Sequence, residues 1–433
     1  MNDCDLTARL DRFESYDQAL REFHPQLPAL FNIAEAVCRG HSDAVSKIAL
    51  FEEKTADDNI YTFGALDYLS NKFANALSNH RIQKGDRVAV MLPQSAALLV
   101  AHLGILKLGG IVAPIAINSS ESTIEYTLKA ASPRAIVISS EKIDRVASSA
   151  IGISSIESIF IASDFRSRED FGAGYKSFWR EVHNASTDFT TVKAEASTPA
   201  FIFAPSSTEN MKCVVHAHRL LIGQLTAFEM SNDLRPDDDA IFYAPSCWSD
   251  VNVLFGMLYP ALIYGRAVLA GDYTNQNIMR SIERRAVTNL FLVSDQLSQL
   301  PAEKSRPDLK LGSIVACNSF DQSIEKVFDT KINRVYATTE TGIIAATCHR
   351  WFPAPTGSQG RSVPGSRMEV IDPAGSVLPA GIAGKIAAHK STASLFLGYL
   401  DRSEKISSAF KGEWFVTQDT GMKDKDENVW IKR

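Results

Sequence analysis

Ser206, Ser207 and Thr208 place three hydroxyls in one short turn, and Lys212 follows at its far edge. Inward-pointing hydroxyl and backbone N–H donors, with a lysine to neutralise charge, are the groups that hold a phosphate. The stretch 200–204 enters this turn as an uncharged run with β-branched and aromatic side chains, and Val214 and Val215 leave it. Two strands therefore position the hydroxyls. An ordinary polar turn is the competing reading, because the glycines that let a backbone close on a phosphate are missing. Three further stretches put polar groups near the ends of expected strands: PSCWSD at 245–250, VYATTETG at 335–342 and FVTQDTG at 415–421. They contribute Thr339, Glu340 and Asp419. Taken singly, a Thr-Thr-Glu is also a helix N-cap and an Asp also a turn residue.

The elements around these stretches alternate. Strands are expected at 48–52, 60–62, 87–92, 111–115 and 135–138, and helices at 62–77, 95–108 and 123–131. Thr62 is a plausible N-cap with Leu66, Leu69, Phe73 and Leu77 as the apolar stripe, and Gly109-Gly110 is a C-cap. Residues 1–40 read as helical, and 140–198, rich in serine, as a less regular connector. Alternation resumes from 220 to 337, where the segment 296–300 is expected as a helix, and beyond 357 short strands with glycine and proline turns take over. Short connections between strand and helix are the pattern of a parallel sheet covered on both faces. The expected fold is therefore α/β: two doubly wound sheets packed as a layered αβαβα core plus a small β-barrel-like subdomain. Its units are 1–190, 191–360 with the phosphate-compatible turn, and 361–433.

Composition narrows the function classes. The chain has 433 residues, 45% apolar and 22% charged, close to ordinary globular usage. A net charge of -5 leaves no basic surplus for nucleic acid or anionic lipid. Six cysteines lie scattered without CxxC pairs, which suggests neither a zinc site nor a disulfide framework. With no secretory core at the N-terminus and no uninterrupted apolar span, a cytoplasmic protein without a membrane segment is expected.

In their order along the chain these stretches resemble the adenylate-forming, AMP-binding superfamily, in particular bacterial acyl-CoA synthetases of the medium-chain and benzoate-like kind. The resemblance runs through FNIAEAVC (31–38), YTFGALDYLSNKFANAL (61–77), KGDRVAVMLPQS (84–95), VVHAHRLLIGQL (214–225), TTETG (338–342), GRSVPGSRMEVID (360–372), FLGYL (396–400) and GEWFVTQDTG (412–421). It implies ATP and Mg²⁺ as cofactors and a small carboxylic acid as substrate, converted first to an acyl-adenylate and then to a thioester. Ser206, Ser207, Thr208 and Lys212 would then form the pyrophosphate loop. Thr339 would touch the α-phosphate and Glu340 would hold magnesium. Tyr336 would stack on adenine beside Asn318 and Ser319, and Asp419 would accept the ribose hydroxyls. Trp248 and Val251 would wall the acyl pocket. Related enzymes imply a homodimer.

The same resemblance exposes departures. The loop glycines are gone, and Glu209 sets a carboxylate where phosphates would sit. Two like charges a few ångströms apart cost about 1 kcal/mol in water and more in a partly buried site. Cys317-Asn318 replaces a Gly-Gly pair, Ala337 a glycine and Gln418 the glycine of TGD. The family continues past 430–433 into a lid domain, which is expected to be absent here. Two readings stay open. One is a truncated ligase that forms an acyl- or aryl-adenylate, with a lid domain or acyl-acceptor protein supplied separately. The other is a pseudoenzyme, with ATP and Mg²⁺ binding weakened or lost, that serves as a binding, regulatory or scaffold module.

Overall fold

The computed structural model describes residues 6–39, 44–53, 58–150, 153–163, 165, 171–172, 174–204, 212–234, 239–271, 278–293, 311–318, 323–400 and 408–432. Three sheets organise them. In the first, Arg87–Met91 lies centrally between Ile111–Pro114 and Ala135–Ser139, both parallel to it. Pro199–Phe203 extends the parallel set on one side, and Ser158–Ala162 with Tyr175–Ser177 extend it on the other. The last two strands lie inside the segment expected as an irregular connector, as do the helices Ile143–Ala150 and Phe178–Asn184. Val214–Ala217 returns antiparallel to Pro199–Phe203, and Gly398–Tyr399 closes that edge antiparallel to Val214–Ala217.

The second sheet carries a parallel centre of Ser313–Cys317, Asn289–Val293, Ile241–Tyr243 and Ala267–Ala270. Ile332–Thr338 adds in parallel and then turns back through Gly342–Ala346. The early strand Ile48–Glu52 also belongs here, parallel to Ala267–Ala270, with Asn59–Thr62 outside it. Two strand pairs thus cross residue 190: the chain's first hairpin serves the second sheet, and 199–217 serves the first. The third sheet is antiparallel, built from Met368–Ile371, Gly384–His389, Trp414–Lys423 and Val429–Lys432, with Phe410–Lys411 at its edge.

Local chemistry sets the helices. Thr62, Ser95 and Ser120 each accept a backbone N–H three residues on and start helices Phe63–Asn79, Ala96–Lys107 and Glu121–Ala131. Every residue of Ala96–Lys107 is buried, including Lys107 at its end. That ammonium is compensated by Asp67 Oδ1 at 2.5 Å and Asn71 Oδ1 at 2.7 Å from Phe63–Asn79, so it cross-links the two helices. Leu220–Ser231 is likewise wholly buried. Its Gly223 meets the loop before Tyr399 so closely that an added Cβ would lie 2.5 Å from Ser394 N. From 251 to 263 one helical path includes a π-turn at Leu254–Leu258. The segment 296–300, expected as a helix, lies outside the described residues.

Candidate functional site

A cavity of about 920 Å³ opens where the parallel strands of both main sheets end. Pro114 and Ala204 mark strand ends of the first sheet, and Val293, Cys317 and Thr338 those of the second. Strand C-termini at a sheet crevice are where doubly wound folds collect ligands. Phe415 to Asp419, from the third sheet, complete the wall.

Asn318, Thr339, Glu340, Val251 and Asp419 all line this cavity. Asn318 follows Ser313–Cys317 in a left-handed conformation, φ 61°. Asparagine tolerates that region better than other side chains with a Cβ, which accounts for its presence where the resembling family has glycine. Its amide also acts as a strand end: Oδ1 accepts from Ala337 N at 3.1 Å and Nδ2 donates to Ala337 O at 2.8 Å.

The segment 338–342 is held from three sides. Thr341 N donates to Thr338 Oγ1, forming a tight turn, and Gly342 takes φ 62° against the Gln224 side chain. His216 Nε2 donates to Thr339 O at 2.7 Å. Burial pushes the His216 pKa down to about 4, so the ring is neutral. Phe396 N donates to Glu340 O at 2.9 Å. Glu340 is then reached by Tyr399, whose hydroxyl donates to Oε1 at 2.9 Å. Burial, and the Glu340 charge after it, raise the Tyr399 pKa, which keeps that proton on the phenol. Lys212 Nζ stands 4.7 Å from the Tyr399 ring centroid, a cation–π contact. The register explains the meeting: Tyr399 pairs with Val214, two residues past Lys212.

Asp419, which the sequence puts near the end of an expected strand, sits within the longer strand Trp414–Lys423 beside a register shift against Gly384–His389. Such an irregularity re-aims side chains. Tyr336 donates to Asp419 Oδ2 at 2.8 Å and is itself fully buried, outside the cavity wall. Trp248 is also buried and outside the wall, and its Nε1 has no acceptor among the described residues. Around it, Gln94 Nε2 donates to the carbonyls of Ala244 and Ser246 and fixes the loop that carries Cys247, Ser249 and Asp250 into the cavity. Ser206, Ser207, Thr208, Glu209 and Ser319 lie outside the described residues.

Tyr399 and His216 were not assigned from sequence. Both sat inside quoted motifs, FLGYL and VVHAHR. For His216 the alternation of the strand was the available signal, since it faces the same side as Val214 and both are buried.

Magnesium is compatible with this donor set. It needs one or two carboxylates and fills its remaining sites with water and phosphate oxygens. Glu340 lines the cavity, and its second carboxylate oxygen has no protein partner among the described residues. No group of three or more His, Cys, Asp or Glu placed to hold a metal occurs among the described residues. No helix among the described residues is long and apolar enough to cross a membrane.

A family model described as AMP-binding enzyme matches residues 35–400. The chain is similar to the mitochondrial acyl-coenzyme A synthetase ACSM3 of Homo sapiens, 24% identical over 98% of this chain and 75% of that protein. It is also similar to acetyl-coenzyme A synthetase of Bacillus subtilis (strain 168), 22% identical over 89% of this chain and 69% of that protein. Among solved structures, Brucella canis acyl-CoA synthetase superposes with a TM-score of 0.86 at 21% identity, covering 97% of this chain and 80% of that one. The anthranilate CoA ligase AuaEII in complex with anthranoyl-AMP gives a TM-score of 0.84, also at 21% identity, over 94% and 78%. At such identities the superpositions establish a common fold.

Proposed function

Because the chain belongs to the AMP-binding enzyme family, we propose that its cavity activates a carboxylic acid with ATP, the carboxylate oxygen attacking the α-phosphorus and pyrophosphate leaving. The observation that carries this reading is the gathering of Asn318, Thr339, Glu340 and Asp419 around one cavity at the strand ends. Asn318 flanks the adenine and Asp419, steadied by Tyr336, accepts from the ribose hydroxyls. Thr339, with its peptide fixed by His216, donates to the α-phosphate. Lys212 and the turn at 206–208 neutralise the leaving pyrophosphate. Magnesium at Glu340 supplies charge neutralisation when bound, and Tyr399 orients the carboxylate for it. Catalysis of this kind is mostly positioning and electrostatics, since the substrate's own carboxylate is the nucleophile.

Exchange of labelled pyrophosphate into ATP, across a panel of aliphatic and aromatic acids, tests the proposal. Acid-dependent exchange that vanishes in Lys212→Ala and Glu340→Ala carries it, and silence across the panel sinks it. The second reading is a binding module without chemistry. It is favoured by the absence of lysine, arginine and histidine from the cavity lining among the described residues. Saturable nucleotide binding without exchange would select it.

A further inference from the structure

We propose that a second cavity, of about 570 Å³, takes a monoanionic ligand with an apolar body of one or two rings, away from the site of acid activation. Its residues come from the segments that lead into strands of the first sheet: 81–84 before Arg87–Met91, Leu108 before Ile111–Pro114 and Arg134 before Ala135–Ser139. The large cavity opens at the other end of Ile111–Pro114. The length of that four-residue strand, roughly 13 Å, separates the two. The wall of the second cavity is apolar where Val192, Leu108 and the methylene stem of Lys84 meet. Val192 N donates to Lys107 O at 2.8 Å and its carbonyl accepts from Asn32 Nδ2 at 3.2 Å, which fixes it there. Gly109 lets the Lys84 stem lie beside it, since an added Cβ would stand 3.0 Å from Val192 Cγ1 and 3.1 Å from Lys84 Cγ. A cavity of this volume holds a ring-sized apolar body.

Charge sets the ligand. Three cations line this cavity, Arg81, Lys84 and Arg134, and no carboxylate does among the described residues. The large cavity is the reverse, with Asp250, Glu340 and Asp419 and no cation among the described residues. Arg134 is occupied, by Asp86 at 3.1 Å and by Glu157 at 2.7 Å. Arg81 and Lys84 have no acidic partner among the described residues. Helices Phe63–Asn79 and Ala96–Lys107 both end beside the cavity, and the bland explanation is that these cations complement the negative ends of the helix dipoles. That does not account for Arg81. It follows the C-cap His80 with φ 63°, a position where glycine is usual and a side chain is strained. A cation serving the dipole alone would sit in the last turn without strain, and the last turn of Phe63–Asn79 contains none. The strained backbone instead carries a guanidinium to the same cavity as the Lys84 ammonium, where one anion can answer both. A bare anion would leave the apolar wall uncovered, and an uncharged ring would leave both cations without a counter-charge.

Titration calorimetry tests this with matched probes: naphthalene-2-sulfonate, the uncharged naphthalene-2-sulfonamide, and methanesulfonate, which has the charge without the rings. The naphthalene sulfonate is expected to bind saturably and about tenfold more tightly than the sulfonamide, the scale of one charge-assisted contact, and more tightly still than methanesulfonate. Arg81→Gly combined with Lys84→Ala should erase the preference over the sulfonamide. Glycine relieves the strain at 81, so the melting temperature of this double variant is not expected to fall, and lost binding then reads the site rather than the fold. Equal binding of the sulfonamide or of methanesulfonate, a preference that survives the double variant, or no binding of the naphthalene sulfonate overturns the site. None of these titrations involves ATP, so acid activation at the large cavity stands or falls separately, on pyrophosphate exchange.

Discussion

The Tyr399 hydroxyl donates to Glu340 Oε1 across 2.9 Å, while the Lys212 ammonium rests 4.7 Å from the centre of the same ring. One aromatic side chain therefore touches both charged groups assigned to phosphate chemistry. Tyr399→Phe keeps the ring under Lys212 and removes only the donor. Pyrophosphate exchange is expected to fall about tenfold, in line with loss of one hydrogen bond to a charged group. The melting temperature should stay near wild type, because the backbone pairing of Gly398–Tyr399 is untouched. Full activity in this variant would show that Glu340 needs no orienting partner.

Gly223 acts on the same pair from behind. An added Cβ would lie 2.5 Å from Ser394 N and 2.9 Å from Ala393 C, both backbone atoms of the loop leading to Tyr399. Gly223→Ala should cost about 1–3 kcal/mol in urea denaturation, the usual range for overpacking a core, and should depress exchange beyond what Tyr399→Phe does. A variant as stable as the parent would mean that the loop moves freely.

At Asn318 two effects can be separated. Asn318→Ala should lose about 2 kcal/mol, combining left-handed strain with the loss of both bonds to Ala337. Asn318→Gly removes the same bonds but relieves the strain, so it should lose less. Equal losses, measured by chemical denaturation, would show that backbone conformation contributes nothing here.

Much of this was legible beforehand. Thr62 and Ser95 cap helices because a hydroxyl precedes an apolar stripe, a local signal that needs no tertiary context. The strands at 87–91, 111–114 and 199–203 read directly from buried apolar runs. Ser158–Ala162 and Tyr175–Ser177 were hidden because they are short and sit among polar residues, and only the sheet edge they join makes them strands. Tyr399 was illegible as a site residue for a similar reason. Its two-residue strand is defined by a partner at 214–215, and its bond to Glu340 spans 59 positions.

The buried histidines make stability depend on pH. Burial depresses His102 to about 3 and His216 to about 4, so both are neutral when folded, whereas an unfolded histidine titrates near 6.5. As pH falls below 6.5 the unfolded chain takes up protons that the folded chain does not. Their contribution is therefore complete above that value and declines toward pH 4, at about 1.4 kcal/mol per pH unit for each histidine. His216→Gln preserves a donor to Thr339 O and should flatten the slope of unfolding free energy between pH 6 and 5 by about that amount. An unchanged slope would mean that His216 is already charged in the native protein.

The pairing of Gly398–Tyr399 with Val214–Ala217 has a consequence for assembly of the chain. Every other strand of that sheet has been synthesised by residue 217, yet its border keeps unpaired amides until a segment nearly two hundred positions later arrives. A nascent chain therefore carries an open template while the nearly two hundred residues between them are translated. Closure of that border precedes completion of the cavity wall by Phe415 to Asp419, so a ribosome-bound fragment ending before Gly398 has neither.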